Sequence, residues 1–160
     1  MIREVEEKHI AQCVKVIRES FLTVAERFGF TAENAPLFTA FATTDDTLKR
    51  HFELEHRPMY AFFDGDTVVG YYSLLLQADG LCELNHLCVS PAHRGKGIGA
   101  ELLEHAFMAA KERNCRKMNI GIVEENRTLR KWYESFGFVH LGSKKPKSLP
   151  FVCGFMEKCL

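Results

Sequence analysis

A chain of 160 residues with 46% hydrophobic and 26% charged residues has the composition of a folded globular protein, which sets aside disordered and fibrous classes. Its formal net charge is zero and no apolar run approaches the roughly 20 residues needed to span a bilayer, so no membrane partner is expected. A single domain over residues 1–160 is the natural expectation at this length.

The opening Met1-Ile2-Arg3-Glu4-Val5-Glu6-Glu7 lacks the layout of a signal peptide, and the six cysteines show no Cys-x-x-Cys pair. Several stand among apolar neighbours, as reduced core thiols of a cytoplasmic protein do. Cys82, His86 and Cys88 are the one set that a shared strand face would offer to zinc, but no fourth ligand lies at suitable spacing, so no metal is expected. Charge is unevenly spread. Residues 1–89 carry 8 Lys/Arg against 14 Asp/Glu, and residues 90–160 carry 13 against 7. A basic half suits a polyanionic ligand and an acidic half a cationic one. No basic run is interleaved with stacking aromatics, so nucleic acid is not expected.

In chain order, Met1 to Val5 reads as a short strand. Ile10, Cys13, Val14, Ile17, Phe21, Val24, Ala25 and Phe28 then follow helical spacing within Glu7–Phe28, with Gly29 as the stop. Phe30 to Thr43 has no clean period; its aromatics, with Phe21 and Phe28, belong to the core or to an apolar pocket. Thr44-Asp45-Asp46 is a helix start, and Leu48–His56 a second helix ended by Pro58. Met59–Phe63 and Thr67–Gln77 form a hairpin about Asp64-Gly65-Asp66. A strand over Leu81–Val89, a helix to Asn114, a strand over Met118–Val123 and a helix over Thr128–Ser135 follow. Phe138–Gly142 and Phe151–Lys158 are the last strands, on either side of a basic loop. The order β-α-α-β-β-β-α-β-α-β-β predicts an α/β fold with a mixed sheet and helices on both faces.

The informative stretch is Ser90-Pro91-Ala92-His93-Arg94-Gly95-Lys96-Gly97-Ile98-Gly99, between a buried strand and an amphipathic helix. Glycines at 95, 97 and 99 let the backbone approach a ligand, and free N–H groups at a helix start favour a phosphate. Arg94 and Lys96 add positive charge. A P-loop requires Ser or Thr after the lysine, where this chain has Gly97. A dinucleotide fingerprint requires an acid on the next strand, and none appears before Glu124.

Arg94-Gly95-Lys96-Gly97-Ile98-Gly99 resembles the Arg/Gln-x-x-Gly-x-Gly signature of the GNAT superfamily of N-acetyltransferases. Asn126-Arg127-Thr128-Leu129-Arg130-Lys131-Trp132-Tyr133-Glu134-Ser135-Phe136-Gly137-Phe138 resembles the same superfamily's Asn-x-x-Ala/Leu-x-x-x-Tyr-x-x-x-Gly-Phe signature. Read without the resemblance, this second segment is a capped helix with an apolar stripe, and Tyr133 a packed aromatic. The likeness covers residues 59–142 well and residues 1–58 only by element order. It implies a GNAT-like fold and acetyl-CoA as donor, with its pyrophosphate on Arg94, Gly95, Lys96, Gly97, Ile98 and Gly99. It also implies Asn126 beside the pantetheine, backbone donors around Leu87, Cys88 and Val89, and Tyr133 as acid to the departing thiolate.

An alkylamine near pKa 10.4 is almost wholly protonated at neutral pH, so a base must take a proton as it attacks. Glu83 is the candidate and His86 its rival; on a regular strand Asn85 shares the face of Glu83 and His86 points away unless a bulge intervenes. The expected reaction is direct transfer in a ternary complex to a primary amine, a small molecule in preference to a peptide amine. A protein N-terminal or lysine acetyltransferase and a non-catalytic acetyl-CoA-binding module are the alternatives. Dimers are common in this superfamily, and the apolar last strand is either a pairing edge for a homodimer or core.

Overall fold

The computed structural model describes residues 1–160. Strand β1 (Ile2–Glu4) leads through a single 3-10 turn into α1 (Ile10–Phe28), which buries Ile10, Cys13, Val14 and Ile17 along one stripe. Gly29 ends α1 in the left-handed region at φ 72°, its N–H donating to the carbonyl of Ala25. One turn, α2 (Thr39–Ala42), interrupts the aperiodic segment that follows. Helix α3 runs Asp45–Glu53, starting earlier than apolar spacing suggested, because the Thr44 hydroxyl accepts the Thr47 N–H at 3.2 Å. Asp45 and Asp46 favour the same start, standing at the positive end of the helix dipole.

The hairpin expected from Asp-Gly-Asp is present as β2 (Met59–Asp64) and β3 (Thr67–Leu76), followed by β4 (Leu81–Val89). Helix α4 (Ile98–Lys111) stops short of Asn114, which takes a positive φ of 63°. Strand β5 (Lys117–Val123), helix α5 (Arg127–Ser135), strand β6 (Val139–Lys144) and strand β7 (Cys153–Cys159) complete the chain. The last strand begins two residues later than periodicity indicated, because Phe151 leaves the ladder to stack on Phe30 at 4.6 Å.

The seven strands form one mixed sheet in the order β1-β2-β3-β4-β5-β7-β6, antiparallel except for β4 against β5. Strand β7 therefore lies inside the sheet, so of the two readings of the last strand the pairing edge is set aside and core holds; the edge on that side is β6. Helices α1 and α3 cover one face, where Ile17 and Leu48 pack on Ala61, Tyr71 and Cys88. Helices α4 and α5 cover the other, where Leu102, Leu103 and Tyr133 pack with Leu74, Leu84 and Met118. A third cluster joins the end of α1 to the segments around Phe38 and Phe151.

Two irregularities in β4 matter for function. Parallel pairing with β5 extends only over Leu81–Glu83 against Lys117–Asn119, so the remainder of β4 has no strand on that side. Tyr71 pairs with Cys88 and Ser73 with Asn85, so two residues, His86 and Leu87, oppose the single residue Tyr72. That is a β-bulge, and His86 sits in it at φ 56°. Cys82 and Leu84 therefore face α4, whereas His86 and Cys88 face α1 and α3, so Cys82 shares no face with the other two members of the zinc set considered above.

Gly70 on β3 sets how closely α4 docks. A Cβ there would lie 2.8 Å from Leu102 Cδ1 and 3.3 Å from the Cys88 carbonyl. Overpacking of this kind costs about 1–3 kcal/mol, so Gly70→Val is expected to lower the denaturant midpoint by that order without changing the m-value.

Candidate active site

Where β4 and β5 part, a cavity of about 700 Å³ opens, walled by the end of β4, the glycine loop, the start of α4, the C-terminal half of α1 and the inner face of α5. Leu87, Cys88, Val89, Arg94, Gly95, Gly97, Ile98, Gly99, Asn126 and Tyr133 all line it. Lys96 stands exposed at the loop and Glu83 on the paired part of β4, opposite Asn119; neither is part of the lining.

The floor follows from the ladder. Ser90 N–H donates to Val69 O, so after the bulge the backbone groups of Cys88 face β3, and those of Leu87 and Val89 face the open side. The phosphate end is made of backbone. Gly95 and Gly97 take φ of 77° and 81°, and no atom lies within 4 Å of where a Cβ would stand on either. The first intrahelical bond of α4 runs from Glu101 N–H to Gly97 O, leaving the N–H groups of Ile98, Gly99 and Ala100 without helical acceptors. Consecutive free N–H groups at the positive end of a 14-residue helix fit a diphosphate.

The Arg94 side chain is held by three hydrogen bonds. Its Nη1 donates to Thr23 Oγ1 at 3.0 Å, Nη2 to Ser20 O at 3.0 Å and Nε to Val89 O at 3.2 Å. The Ser20 hydroxyl donates to the same Val89 carbonyl at 3.0 Å. The guanidinium thus ties the glycine loop to α1 and helps satisfy a carbonyl that β5 does not reach. Ser20 and Thr23 escaped the sequence reading because they lie about 70 residues away and carry no motif.

Across the cleft, Asn126 caps α5, its Oδ1 accepting the Leu129 N–H at 3.2 Å, as its position before the helix predicted. Tyr133 is 6% exposed, its ring edge-on to Trp132 at 5.0 Å and to Phe138 at 5.3 Å. Burial, with a smaller effect from Cys88, pushes its hydroxyl pKa well up, so it stays a protonated phenol. Burial likewise pushes the Cys88 thiol up to about 12, which leaves no thiolate at neutral pH.

On the α1/α3 side the bulge brings Glu83, Asn85 and His86 to one face. Asn85 Nδ2 donates to Glu83 Oε1 at 2.7 Å, and Arg57 Nη1 donates to Asn85 Oδ1 at 3.0 Å, while Arg57 Nε pairs with Glu55. His86 packs edge-on to Phe21 at 6.3 Å and stacks with His51 at 6.3 Å. Burial first, then the charges of His51 and Arg57, push His86 down to about 4, and burial and Arg57 also hold His51 below the usual range. His51 and Arg57 were missed because neither is near the glycine loop in sequence. Of the five phenylalanines expected as core or pocket, Phe21 lines the cavity, Phe38 is buried, Phe30 and Phe41 pack around it, and Phe28 is half-buried and stacks on Phe30 at 6.1 Å.

The sequence matches the model of the acetyltransferase (GNAT) family over residues 22–138. It is 34% identical over 89 residues to N-alpha-acetyltransferase 40 of Saccharomyces cerevisiae, a match that covers 46% of this chain and 31% of that protein. The chain thus spans less than a third of the length of that curated relative. The PaiA N-acetyltransferase from Thermoplasma acidophilum, solved in complex with coenzyme A, has a similar fold at TM-score 0.82 and 20% identity, covering 100% of this chain and 98% of that one. The ribosomal-protein-S18-alanine N-acetyltransferase from Escherichia coli is similar at TM-score 0.77 and 14% identity, covering 99% and 92%.

His86 also gives the fold an acid sensitivity. Its folded pKa of about 4 lies below the unfolded value of roughly 6.5, so the unfolded chain binds more protons between the two. This contribution is full above pH 6.5 and lost as pH falls to 4, to a ceiling of about 3 kcal/mol at 1.4 kcal/mol per pH unit. Denaturant midpoints at pH 7, 5.5 and 4.5 are expected to fall more steeply for the wild type than for His86→Asn.

Proposed function

Since this chain belongs to the acetyltransferase (GNAT) family, we propose that it moves the acetyl group of acetyl-CoA to a small primary amine by direct attack within a ternary complex. The observation that carries the reading is the single cavity in which an anion-binding glycine loop, an uncommitted strand backbone, Asn126 and Tyr133 meet. In this reading the N–H groups from Gly95 to Gly99 hold the pyrophosphate, with Lys96 adding charge from outside. Backbone N–H groups of Leu87 and Val89 receive the pantetheine and the developing oxyanion, with Cys88 between them, and Asn126 flanks the arm. Arg94 contributes its backbone to the cradle while its side chain keeps α1 against it.

The amine attacks the thioester carbonyl, and Glu83, directly or through a water, takes the proton that the nitrogen sheds as the amide forms. Asn85, turned by Arg57 so that its NH₂ faces the carboxylate, holds Glu83 in place and leaves its second oxygen for the acceptor. Tyr133 protonates the departing sulfur as the C–S bond breaks, a role that suits a phenol kept protonated by burial. A covalent relay through Cys88 is disfavoured by its raised pKa.

The preference for a small acceptor rests on the aromatic wall in which Phe30, Phe38 and Phe151 close the space beside α1. A peptide N-terminus is the second reading, supported by the likeness to N-alpha-acetyltransferase 40. Single-turnover assays with labelled acetyl-CoA against polyamines, arylalkylamines, amino acids and peptides with free N-termini separate the two; label reaching none of them sinks both. Tyr133→Phe and Glu83→Gln are each expected to lower kcat by about 100-fold at pH 7, within the usual range for a lost acid or base, while acetyl-CoA affinity stays within about two-fold. A Tyr133→Phe rate equal to wild type removes Tyr133 from the acid role.

A further inference from the structure

Trp132 is the chain's only tryptophan, and in the sequence it reads as one member of an apolar stripe along α5 with Leu129 and Phe136. The structure gives it a second face. Its half-buried ring rests on Phe136 at 5.0 Å and against the core beneath α4 and α5, yet it also lines the cavity beside Val89, Gly99 and Leu129. The reaction proposed above makes no use of it.

Gly99 shows which edge of the indole meets the glycine loop. Unlike Gly95 and Gly97 it lies within α4 and has no left-handed backbone. A Cβ placed on it would touch Trp132 Cζ2 at 3.7 Å, Val89 Cγ2 at 3.8 Å and Trp132 Cη2 at 3.9 Å. The Cζ2–Cη2 edge therefore stands over the first turn of α4, where the N–H groups of Ile98, Gly99 and Ala100 lack helical acceptors. Cζ2 and Nε1 are both bonded to Cε2, so the indole N–H leaves the ring on that same side. Nothing in the protein uses this N–H. Trp132 enters the side-chain hydrogen bonds only through its carbonyl, which accepts from the Ser135 hydroxyl, and Nε1 is not one of the atoms sealed from solvent. An indole N–H can only donate, and a half-buried tryptophan ordinarily finds it a partner.

We propose that Trp132 is a donor-binding residue: its Nε1–H gives the pyrophosphate of acetyl-CoA a hydrogen bond beside those of the backbone cradle, and its ring closes that side of the cleft against water. The proposal rests on the acetyl-CoA reading of the cavity. Several N–H groups converging on one place repel one another unless an acceptor stands between them, and a pyrophosphate offers only acceptors. A bond to a charged oxygen is stronger than one between neutral groups, and more so where an apolar ring keeps water away. The need for a further donor follows from Arg94, whose guanidinium is spent on Ser20, Thr23 and Val89 instead of on the anion. Trp132 stands across the cleft from Arg94 and supplies from α5 what that side chain does not.

Because Trp132 is the only tryptophan, its indole N–H gives one signal in a proton–nitrogen NMR spectrum of the full chain. Titration with CoA is expected to move that signal downfield together with the backbone amide signals of Gly95, Gly97 and Gly99. Dephospho-CoA, which keeps the pyrophosphate, is expected to do the same, and pantetheine, which has none, to leave the indole signal in place. Calorimetric titration then measures affinity. Trp132→Phe is expected to bind CoA about ten-fold more weakly, the order expected for a lost bond to a charged group. A chain grown with 3-benzothienylalanine in place of tryptophan, where sulfur replaces the N–H in a ring of the same shape, is expected to show the same loss. Wild-type affinity in the benzothienyl chain marks the ring as packing alone and overturns the proposal. So does an indole signal that stays still while the glycine amides move, or one that pantetheine shifts as far as CoA does. If CoA moves neither the indole nor the glycine amides of the wild type, the acetyl-CoA reading fails and the proposal falls with it.

Discussion

The arrangement of this molecule depends on how briefly β4 and β5 stay together. A parallel pair normally extends its ladder as far as both strands run, since each added pair satisfies backbone groups at little further entropic cost. Here the pairing ends after three positions, and a six-residue stretch of β4 is left without a strand partner on that side. In a buried sheet that would be costly, because unpaired N–H and C=O groups need a substitute. The protein provides one in part, through Arg94 and the Ser20 hydroxyl on the Val89 carbonyl. The remaining groups are available to a ligand that can lie along the strand as a pseudo-partner, which a linear amide-bearing chain such as pantetheine can do.

Two kinds of recognition follow on the two sides of this gap. On the side proposed for the donor the chain offers backbone: left-handed glycines, a helix start and strand N–H groups, with the Arg94 side chain engaged elsewhere. Such recognition reads shape and charge at a fixed geometry and depends on few side chains. On the side proposed for the acceptor stand side chains from three elements, Asn85 and His86 on β4, His51 on α3 and Phe21 on α1. The bulge at His86 joins the two sides: it turns the imidazole to the acceptor face and, by shifting the alternation by one, turns the Leu87 and Val89 backbone to the gap.

This division explains which parts were legible in the sequence. Gly29 as a helix stop, the Asp64-Gly65-Asp66 turn, the glycine loop and the Asn126 cap are local features, set by one or two residues and a few hydrogen bonds, and each is found where its residues predicted it. The sheet order was not legible, because nothing local tells β7 to insert between β5 and β6. Nor was the bulge, since His86 carries no glycine to announce a positive φ. The side-chain partners of Arg94 were not legible for a related reason: Ser20 and Thr23 lie far away in sequence.

The titration properties of the site are consistent with this geometry. A side chain proposed to donate to sulfur has to remain protonated. Burial works in both directions at once, raising the pKa of the Tyr133 phenol and lowering that of the His86 imidazolium, because in each case it penalises the charged form. Glu83, by contrast, is supplied with an amide donor rather than an apolar wall. Burial thus keeps the Tyr133 phenol protonated and the His86 imidazole neutral at the same pH. The early parting of β4 and β5 leaves the sheet open at one end, and the α1/α3 cover packs over its face.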